Sequence, residues 1–521
     1  MSEIESFEFK RSESDKIRKY KFGSNWPVVY LLEDGKELYV GQTTRAFVRS
    51  KQHLDTPSRA KLKKMHIISD EEFNISAALD IESWLIQYLS AEGTFQLQNS
   101  NKGLRNHEYF DREKYKAKFE LIWEKLRAMS LATQDLVQLR NSDVFKYSPY
   151  KSLSDDQLII ATDLFKKIAK NEQKTYLING KPGTGKTVLA IYLMKYLAQE
   201  KETRHLKIAL VVPMTSLRQT IRNVFRKIPG LKTTQVIGPA DVTRGDYDLL
   251  IVDEAHRLKQ RVNIANYQSF DVVNKRLGFG NEGTELDWIL ASSKQQILFY
   301  DRNQSVRPSD VSEQRFSQLK ADFYNLASQL RVEGGEEYLE YVDGVLSLRN
   351  TSYVPQDYDF AIYEDIREMI SDIKKRDAET GLARVVAGYA WDWKTKNGGE
   401  EYDIEIDGLR LIWNSTTSDW VNSKNAVNEI GCIHTIQGYD LNYAGVIIGP
   451  EISYDPEQHR IVVDPKKYKD INGKRSVENP EELERYVINI YKTLLTRGIK
   501  GTYVYIADEE LRKLFRKNLI A

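Results

Sequence analysis

Eight consecutive residues, Gly180-Lys181-Pro182-Gly183-Thr184-Gly185-Lys186-Thr187, carry the groups that a bound triphosphate needs. Gly180, Gly183 and Gly185, with Pro182 and Thr184 among them, let backbone N–H groups close around phosphate oxygens. Lys186 can neutralise the β and γ phosphates, and the Thr187 hydroxyl can ligate magnesium. Further along, an apolar run ends in Asp253 and Glu254. Asp253 would hold the same magnesium and Glu254 would polarise an attacking water. The chemistry described is hydrolysis of a nucleoside triphosphate, with ATP and Mg2+ as the expected cofactors.

Such residues work only if elements of structure aim them. Thr175-Tyr176-Leu177-Ile178-Asn179 reads as a short apolar strand and residues 188–197 as an apolar-periodic helix. The glycine-rich loop therefore falls between strand and helix, where the helix N-terminus adds a favourable dipole. Residues 247–252 read as a second strand. On a parallel sheet its carboxyl end delivers Asp253 and Glu254 to the ligand crevice.

Over residues 154–510 the chain resembles superfamily 1 helicases. Ser154-Asp155-Asp156-Gln157 is similar to their glutamine motif, which implies that Gln157 reads adenine. Pro213 and Thr215 lie in a stretch that resembles the motif contacting the single-strand backbone. Gln304, in residues 298–305, falls where the resemblance implies a γ-phosphate sensor. Arg331 ends Ser328-Gln329-Leu330-Arg331, and Arg497 lies in residues 491–498; both imply arginines that reach across two RecA-like lobes. His434 and Gly438, in Cys432-Ile433-His434-Thr435-Ile436-Gln437-Gly438, are implied contacts to nucleic acid and nucleotide respectively. Two arginines make physical sense: negative charge developing on the transferred phosphoryl needs cations that arrive only when the lobes close. The interval between Thr215 and Leu249 is too short for the inserted subdomain of large processive helicases. The arrangement is therefore closer to the Schlafen-type helicase domain.

A second constellation precedes the first. Tyr30 lies in a strand-like run, and Tyr39 and Gly41 follow a turn at residues 33–36. Arg49 and His53 are spaced for one face of a helix. Glu82 opens an apolar-periodic helix read over residues 81–89, and Asn99 lies in a polar turn. That order resembles the GIY-YIG nucleases, with Val28 in place of the first glycine and Asn101 as an alternative to Asn99. The resemblance implies that Glu82 holds one divalent metal, Mg2+ or Mn2+. Tyr30 would act as a base or water-orienting phenol with Tyr39 alongside, Arg49 would bind phosphate, His53 would relay a proton, and Asn99 would contact nucleic acid. Residues 45–64 hold seven Lys or Arg against one acid, Asp55, a flank suited to a phosphate backbone.

Composition bounds the rest. The 521 residues have Lys plus Arg of 76 against Asp plus Glu of 75, so nucleic-acid affinity must come from local grooves. Cys432, the single cysteine, excludes an intrachain disulfide and a cysteine-rich zinc site. No apolar run approaches membrane-spanning length, and the expected location is cytoplasmic. The expected fold class is α/β: a small GIY-YIG-type α+β domain followed by two RecA-like lobes of parallel sheet. The expected boundaries are 1–110 for the small domain, 111–153 for a helical connector and linker, 154–318 for lobe 1 and 319–521 for lobe 2. Residues 111–131 read as an amphipathic strut, 141–154 as a polar linker, 302–313 as a loop, and Gly398-Gly399 as a turn.

The expected function is an ATP-dependent DNA helicase or translocase joined to a metal-dependent endonuclease. By resemblance its setting is DNA processing or genome defence. Its partner is single-stranded or duplex DNA, with no membrane and no identifiable protein partner. Two other readings stay open: an ATP-driven nucleic-acid sensor or clamp with a targeting module at its N-terminus, and an RNA-directed enzyme.

Overall fold

The computed structural model describes residues 2–99, 109–356, 358–395, 401–416, 419–436, 438–475 and 477–520. The turn at Gly398-Gly399, the residue Gln437 and the alternative Asn101 lie outside them. The chain packs into two compact units. One comprises residues 1–164, 191–204 and 221–233; the other comprises 165–190, 205–220 and 234–521.

The first unit is built on five strands: β1 (Glu3–Glu8), β2 (Val28–Glu33), β3 (Glu37–Thr43), β4 (Lys64–Ser69) and β5 (Gln96–Leu97), in the order β1-β4-β2-β3-β5. β2 and β3 form an antiparallel hairpin that sets Tyr30 opposite Gly41. β2 is buried on both faces, which explains its unbroken apolar run. Val29 and Leu31 join one core with the helix Ile75–Glu92, while Val28, Tyr30 and Leu32 join another on the opposite face. Each such side chain contributes about 1.5–3 kcal/mol on burial.

Three expectations are corrected here. The helix bearing Glu82 starts at Ile75, where the Asn74 side chain caps it by accepting from the Ala77 amide, so Glu82 lies inside the helix. The segment read as a strut forms the helix Arg112–Ala128. Its apolar face (Tyr115, Phe119, Ile122, Trp123 and Leu126) is part of the same core as the helix Ile75–Glu92. The polar linker is a packed segment: Val144, Tyr147, Tyr150 and Leu153 are buried, their three-residue spacing hidden among polar neighbours.

The second unit holds two wholly parallel sheets. The first comprises β6 (Lys174–Gly180), β7 (Ile208–Val211), β8 (Val236–Ile237), β9 (Tyr247–Val252), β10 (Ser293–Tyr300) and β11 (Ala321–Leu326), ordered β11-β6-β10-β9-β7-β8. β11 pairs in parallel with β6, so the first lobe extends past the expected boundary at 318. The second sheet contains β12 (Asp359–Tyr363), β13 (Ala383–Ala387), β16 (Ile430–Cys432), β17 (Leu441–Ile448) and β20 (Gly498–Ile506), ordered β12-β20-β17-β13-β16. Two hairpins, β14 (Ile404–Ile406) with β15 (Leu409–Leu411) and β18 (Ile452–Asp455) with β19 (Arg460–Val463), stand apart from it. The loop read at 302–313 is irregular apart from one 3-10 turn, Arg302–Gln304.

Parallel pairing decides where the chemistry collects. The carboxyl ends of β6, β9 and β10 lie on one edge of the first sheet, and they lead directly into Lys181, Asp253 and Asp301. The second sheet offers the opposite ends of β17 and β20, entered from Asp440 and Arg497.

Candidate nucleotide site and candidate N-terminal active site

In the second unit the loop after β6 runs into the helix Lys186–Gln199. Lys186 is buried, and its Nζ donates to the Gly180 and Lys181 carbonyls, with Asp301 Oδ2 at 3.6 Å. Thr187 Oγ1 donates to Asp253 Oδ2 at 2.8 Å. Asp253 Oδ1 is buried without a protein partner, the orphaned oxygen expected of a carboxylate that completes its shell on a cation. Burial, with the Glu254 charge beside it, pushes the Asp253 carboxyl up. Burial acts on Glu254 in the same direction, but His256, with Nε2 at 2.8 Å from Oε2, outweighs it and holds Glu254 ionised. Glu254 sits in the left-handed region at φ 51°, a conformation costing about 1–3 kcal/mol.

The second sheet contributes Arg497 and Gly438, just before the starts of β20 and β17, and Arg331 comes from the segment after β11. Arg497 is 1% exposed; its guanidinium donates to Gln304 Oε1 at 3.4 Å and to the Tyr439 carbonyl at 3.3 Å. Gln304 also donates to Asp301 Oδ2 at 2.7 Å. Arg331 Nε lies 2.6 Å from Asp440 Oδ1. Just before it, Gln329 Nε2 donates to the Pro182 carbonyl and the Leu330 amide to the Gly183 carbonyl, so this segment straps the phosphate loop. A cavity of about 340 Å3 opens here, lined by Lys181, Pro182, Gln304, Leu339, Asp343 and Thr496, within the usual size for a small-molecule site.

Gly438, at φ 89°, packs against the first lobe. A Cβ on it would lie 3.0 Å from Met214 Cε and 3.2 Å from Leu217 Cδ2. Gly438→Val should therefore force this contact apart and reduce nucleic-acid-stimulated ATP turnover about tenfold, equivalent to 1.4 kcal/mol. Steady-state ATPase assays with and without nucleic acid check this.

The other motor residues are dispersed. Gln157 is buried, and its Oε1 accepts from the Ser154 amide at 3.2 Å in the first unit. Pro213 is half-buried, and Thr215 is exposed at the start of the helix Thr215–Lys227. His434 is engaged by Asp470 Oδ2 at 3.0 Å and Arg307 at 2.5 Å, and burial holds its imidazole low, to about 4. Asp440, Arg307 and Asp470 carry no sequence signal, whereas His256 and Gln329 lie inside the motifs that hold Glu254 and Arg331.

In the first unit Tyr30, Tyr39, Arg49 and His53 converge. Tyr30 Oη lies 2.7 Å from His53 Nε2, and Arg49 Nε donates to the same hydroxyl at 3.4 Å. The Tyr30 and Tyr39 ring centroids are 6.2 Å apart. A Cβ at Gly41 would lie 2.3 Å from the Tyr30 hydroxyl, so only glycine leaves room for that phenol. Burial pushes the Tyr30 phenol up despite Arg49, so it stays protonated near neutrality. Glu82 is half-buried, and burial raises its carboxyl to about 7, against the opposing pull of a backbone hydrogen bond from Gln42 and the Arg49 charge. Among the described residues no group of three or more His, Cys, Asp or Glu could hold a metal. A surface depression beside Arg49 is lined by Gln42, Thr43, Thr44, Arg45 and Gln52. The half-buried Asn99 pairs with β3: its amide accepts from the Val40 N–H at 3.0 Å and donates to the Val40 carbonyl at 2.8 Å, continuing the pairing that β5 makes with that strand. Arg59, which lies 3.4 Å from the Tyr39 ring centroid, is a further member of the cluster.

The phosphate loop, the acidic pair at a strand end and an arginine from a second parallel sheet define a helicase-type P-loop ATPase. Residues 173–508 match the Schlafen group 3 DNA/RNA helicase domain, and the chain belongs to that family. An uncharacterized protein of Saccharomyces cerevisiae (strain ATCC 204508 / S288c) is 28% identical over 389 residues, which cover 65% of this chain and 83% of that protein. Among solved structures, the arterivirus nonstructural protein 10 helicase is similar at 15% identity and a TM-score of 0.32, over 67% of this chain. This chain spans 64% of that helicase's length. Pif1 helicase from Bacteroides, solved with ADP-AlF3 and ssDNA, is similar at 12% identity and a TM-score of 0.28, over 66% of this chain and 91% of its own. No helix among the described residues is long and apolar enough to cross a membrane.

Proposed function

We propose that this chain is an ATP-dependent DNA helicase or translocase whose N-terminal unit is a metal-dependent GIY-YIG endonuclease. The observation that carries the motor reading is Arg497, a residue of the second lobe, buried against Gln304 of the first. A cation that reaches the γ-phosphate position only from the other lobe makes hydrolysis conditional on lobe closure, and closure is the motion a translocase uses. Lys186 binds the triphosphate, Glu254 orients the attacking water and Gln304 senses the γ-phosphate. Mg2+, held by Thr187 and Asp253, would supply charge neutralisation at the β and γ oxygens; the orphaned Asp253 Oδ1 fits it.

The nuclease reading is supported by the Tyr30–His53–Arg49 contacts and by the need for glycine at position 41. Arg49 would anchor the phosphate, and Tyr30, protonated in this environment, would orient water. A divalent ion on Glu82 would polarise the phosphate. DNA processing or genome defence is the proposed setting.

The test is magnesium-dependent ATP hydrolysis by the purified chain, alone and with single-stranded DNA, duplex DNA or RNA. Stimulation by DNA is expected, and stimulation by RNA alone would make this an RNA-directed enzyme. One observation favours a sensor or clamp as the second reading: residues 215–249 hold the helix Thr215–Lys227, two 3-10 turns, β8 and the start of β9, and no inserted subdomain. Stimulation by DNA without separation of short duplexes would select it, and turnover indifferent to every nucleic acid would sink the motor reading.

A further inference from the structure

The helix Ala46–Leu54 carries Arg49 and His53, and a short turn of helix, Pro57–Ala60, brings Arg59 back over it. The Arg59 guanidinium lies on the Tyr39 ring, 3.4 Å from its centroid, and its NH1 is 3.3 Å from His53 Nδ1. On the far side of the imidazole, Nε2 is 2.7 Å from the Tyr30 hydroxyl. His53 is thus held between an arginine and a phenol, at 3% exposure. The groups facing it are Tyr30 from β2, Tyr39 from β3, Arg49 from its own helix and Arg59 from the following turn.

A guanidinium can donate hydrogen bonds and cannot accept them. If Nδ1 carried a proton, two donors would face each other across 3.3 Å. Nδ1 must therefore accept from Arg59, and in the neutral ring the single proton sits on Nε2. Burial, with Arg59 and Arg49 beside it, holds the imidazole low, to about 4, so the ring is neutral at physiological pH. Nε2–H then donates to Tyr30, which already accepts from Arg49. A phenol oxygen with two incoming donors directs its own O–H away from both.

We infer that Arg59 is a positioning residue that selects the Nε2–H tautomer of His53 and so turns the Tyr30 hydroxyl proton outward, away from His53. In this arrangement His53 is a donor to Tyr30. Tyr30 can present its proton to a water or phosphate oxygen outside the cluster. The consequence for cleavage rests on the endonuclease reading above; the tautomer assignment does not.

The experiment uses the full chain labelled with 15N-histidine, with the His53 ring signals identified by their loss in His53→Gln. Long-range proton–nitrogen correlation at neutral pH should show a protonated Nε2 and an unprotonated Nδ1 in the wild type. Arg59→Met, which keeps the aliphatic stem, should move both nitrogens toward a mixed-tautomer signature. Arg59→Lys, which keeps a donor, should leave them in place. Metal-dependent nicking by Arg59→Met should lose on the order of tenfold in kcat with KM unchanged, and Arg59→Lys should recover most of it. A protonated Nδ1 in the wild type, or His53 signals unmoved in folded Arg59→Met, would overturn the inference. A wild type that never nicks but shows the expected tautomer dependence supports the role of Arg59 and sinks the nuclease reading alone.

Discussion

Lys186→Ala should abolish ATP turnover, by on the order of 10³-fold, while leaving metal-dependent nicking within about twofold of wild type. Lys186 Nζ rests on the Gly180 and Lys181 carbonyls, at the mouth of the loop that would cradle the phosphates, with Asp301 behind it. Alanine removes the one cation this loop supplies to the β and γ oxygens, and neither Arg331 nor Arg497 can replace it. Arg331 is paired with Asp440, and Arg497, oriented by Gln304 and the Tyr439 carbonyl, has its own place at the γ-phosphate. Nicking should persist because Tyr30, Arg49, His53 and Glu82 all belong to the other compact unit. The measurement is a coupled ATPase assay beside a plasmid-nicking assay on the same preparation. Loss of both activities in a protein with an unchanged melting profile would show that cleavage depends on the motor's nucleotide cycle.

Glu82→Gln should produce the mirror result: nicking reduced by about 10²–10⁴-fold and ATP turnover unchanged. The substitution keeps the shape of a half-buried side chain inside the helix Ile75–Glu92 and removes only its charge. Burial raises the Glu82 carboxyl to about 7, so ionisation costs the folded protein stability at higher pH. The sign follows: between the ordinary glutamate range and about 7 the folded state holds a proton that the unfolded state has released, and stability falls as pH rises through that window. Glutamine lacks this penalty. The melting temperature of Glu82→Gln at pH 8 should therefore equal or exceed that of the wild type, which separates lost chemistry from lost folding. Retained nicking in Glu82→Gln would remove Glu82 from the metal site.

Much of the motor was legible without coordinates. The glycine loop, Asp253 and Glu254 are contiguous motifs whose function depends on local geometry: a strand end, a tight turn and a helix start. Apolar runs located β6 and β9, because burial patterns repeat along the chain. The start of the Glu82 helix is hard to place from sequence because the cap that decides it is the single residue Asn74, whose side chain accepts from the Ala77 amide. The packed segment at 141–154 was missed because four apolar side chains spaced by three residues among polar neighbours resemble a loop.

The sequence by itself determined which residues are candidates to bind phosphate and which strand and helix flank them, because those properties belong to residue types and near neighbours. Only the tertiary structure decided what each side chain is spent on. Asn99 pairs its side-chain amide with Val40 of β3, Arg331 pairs with Asp440, and the segment Gln329–Leu330 closes over the phosphate loop. Arg59 became the partner of His53 rather than one more positive charge on a basic flank. These outcomes depend on hydrogen-bond direction and on which buried group lies within about 3 Å, and both are set by packing between segments distant in the chain.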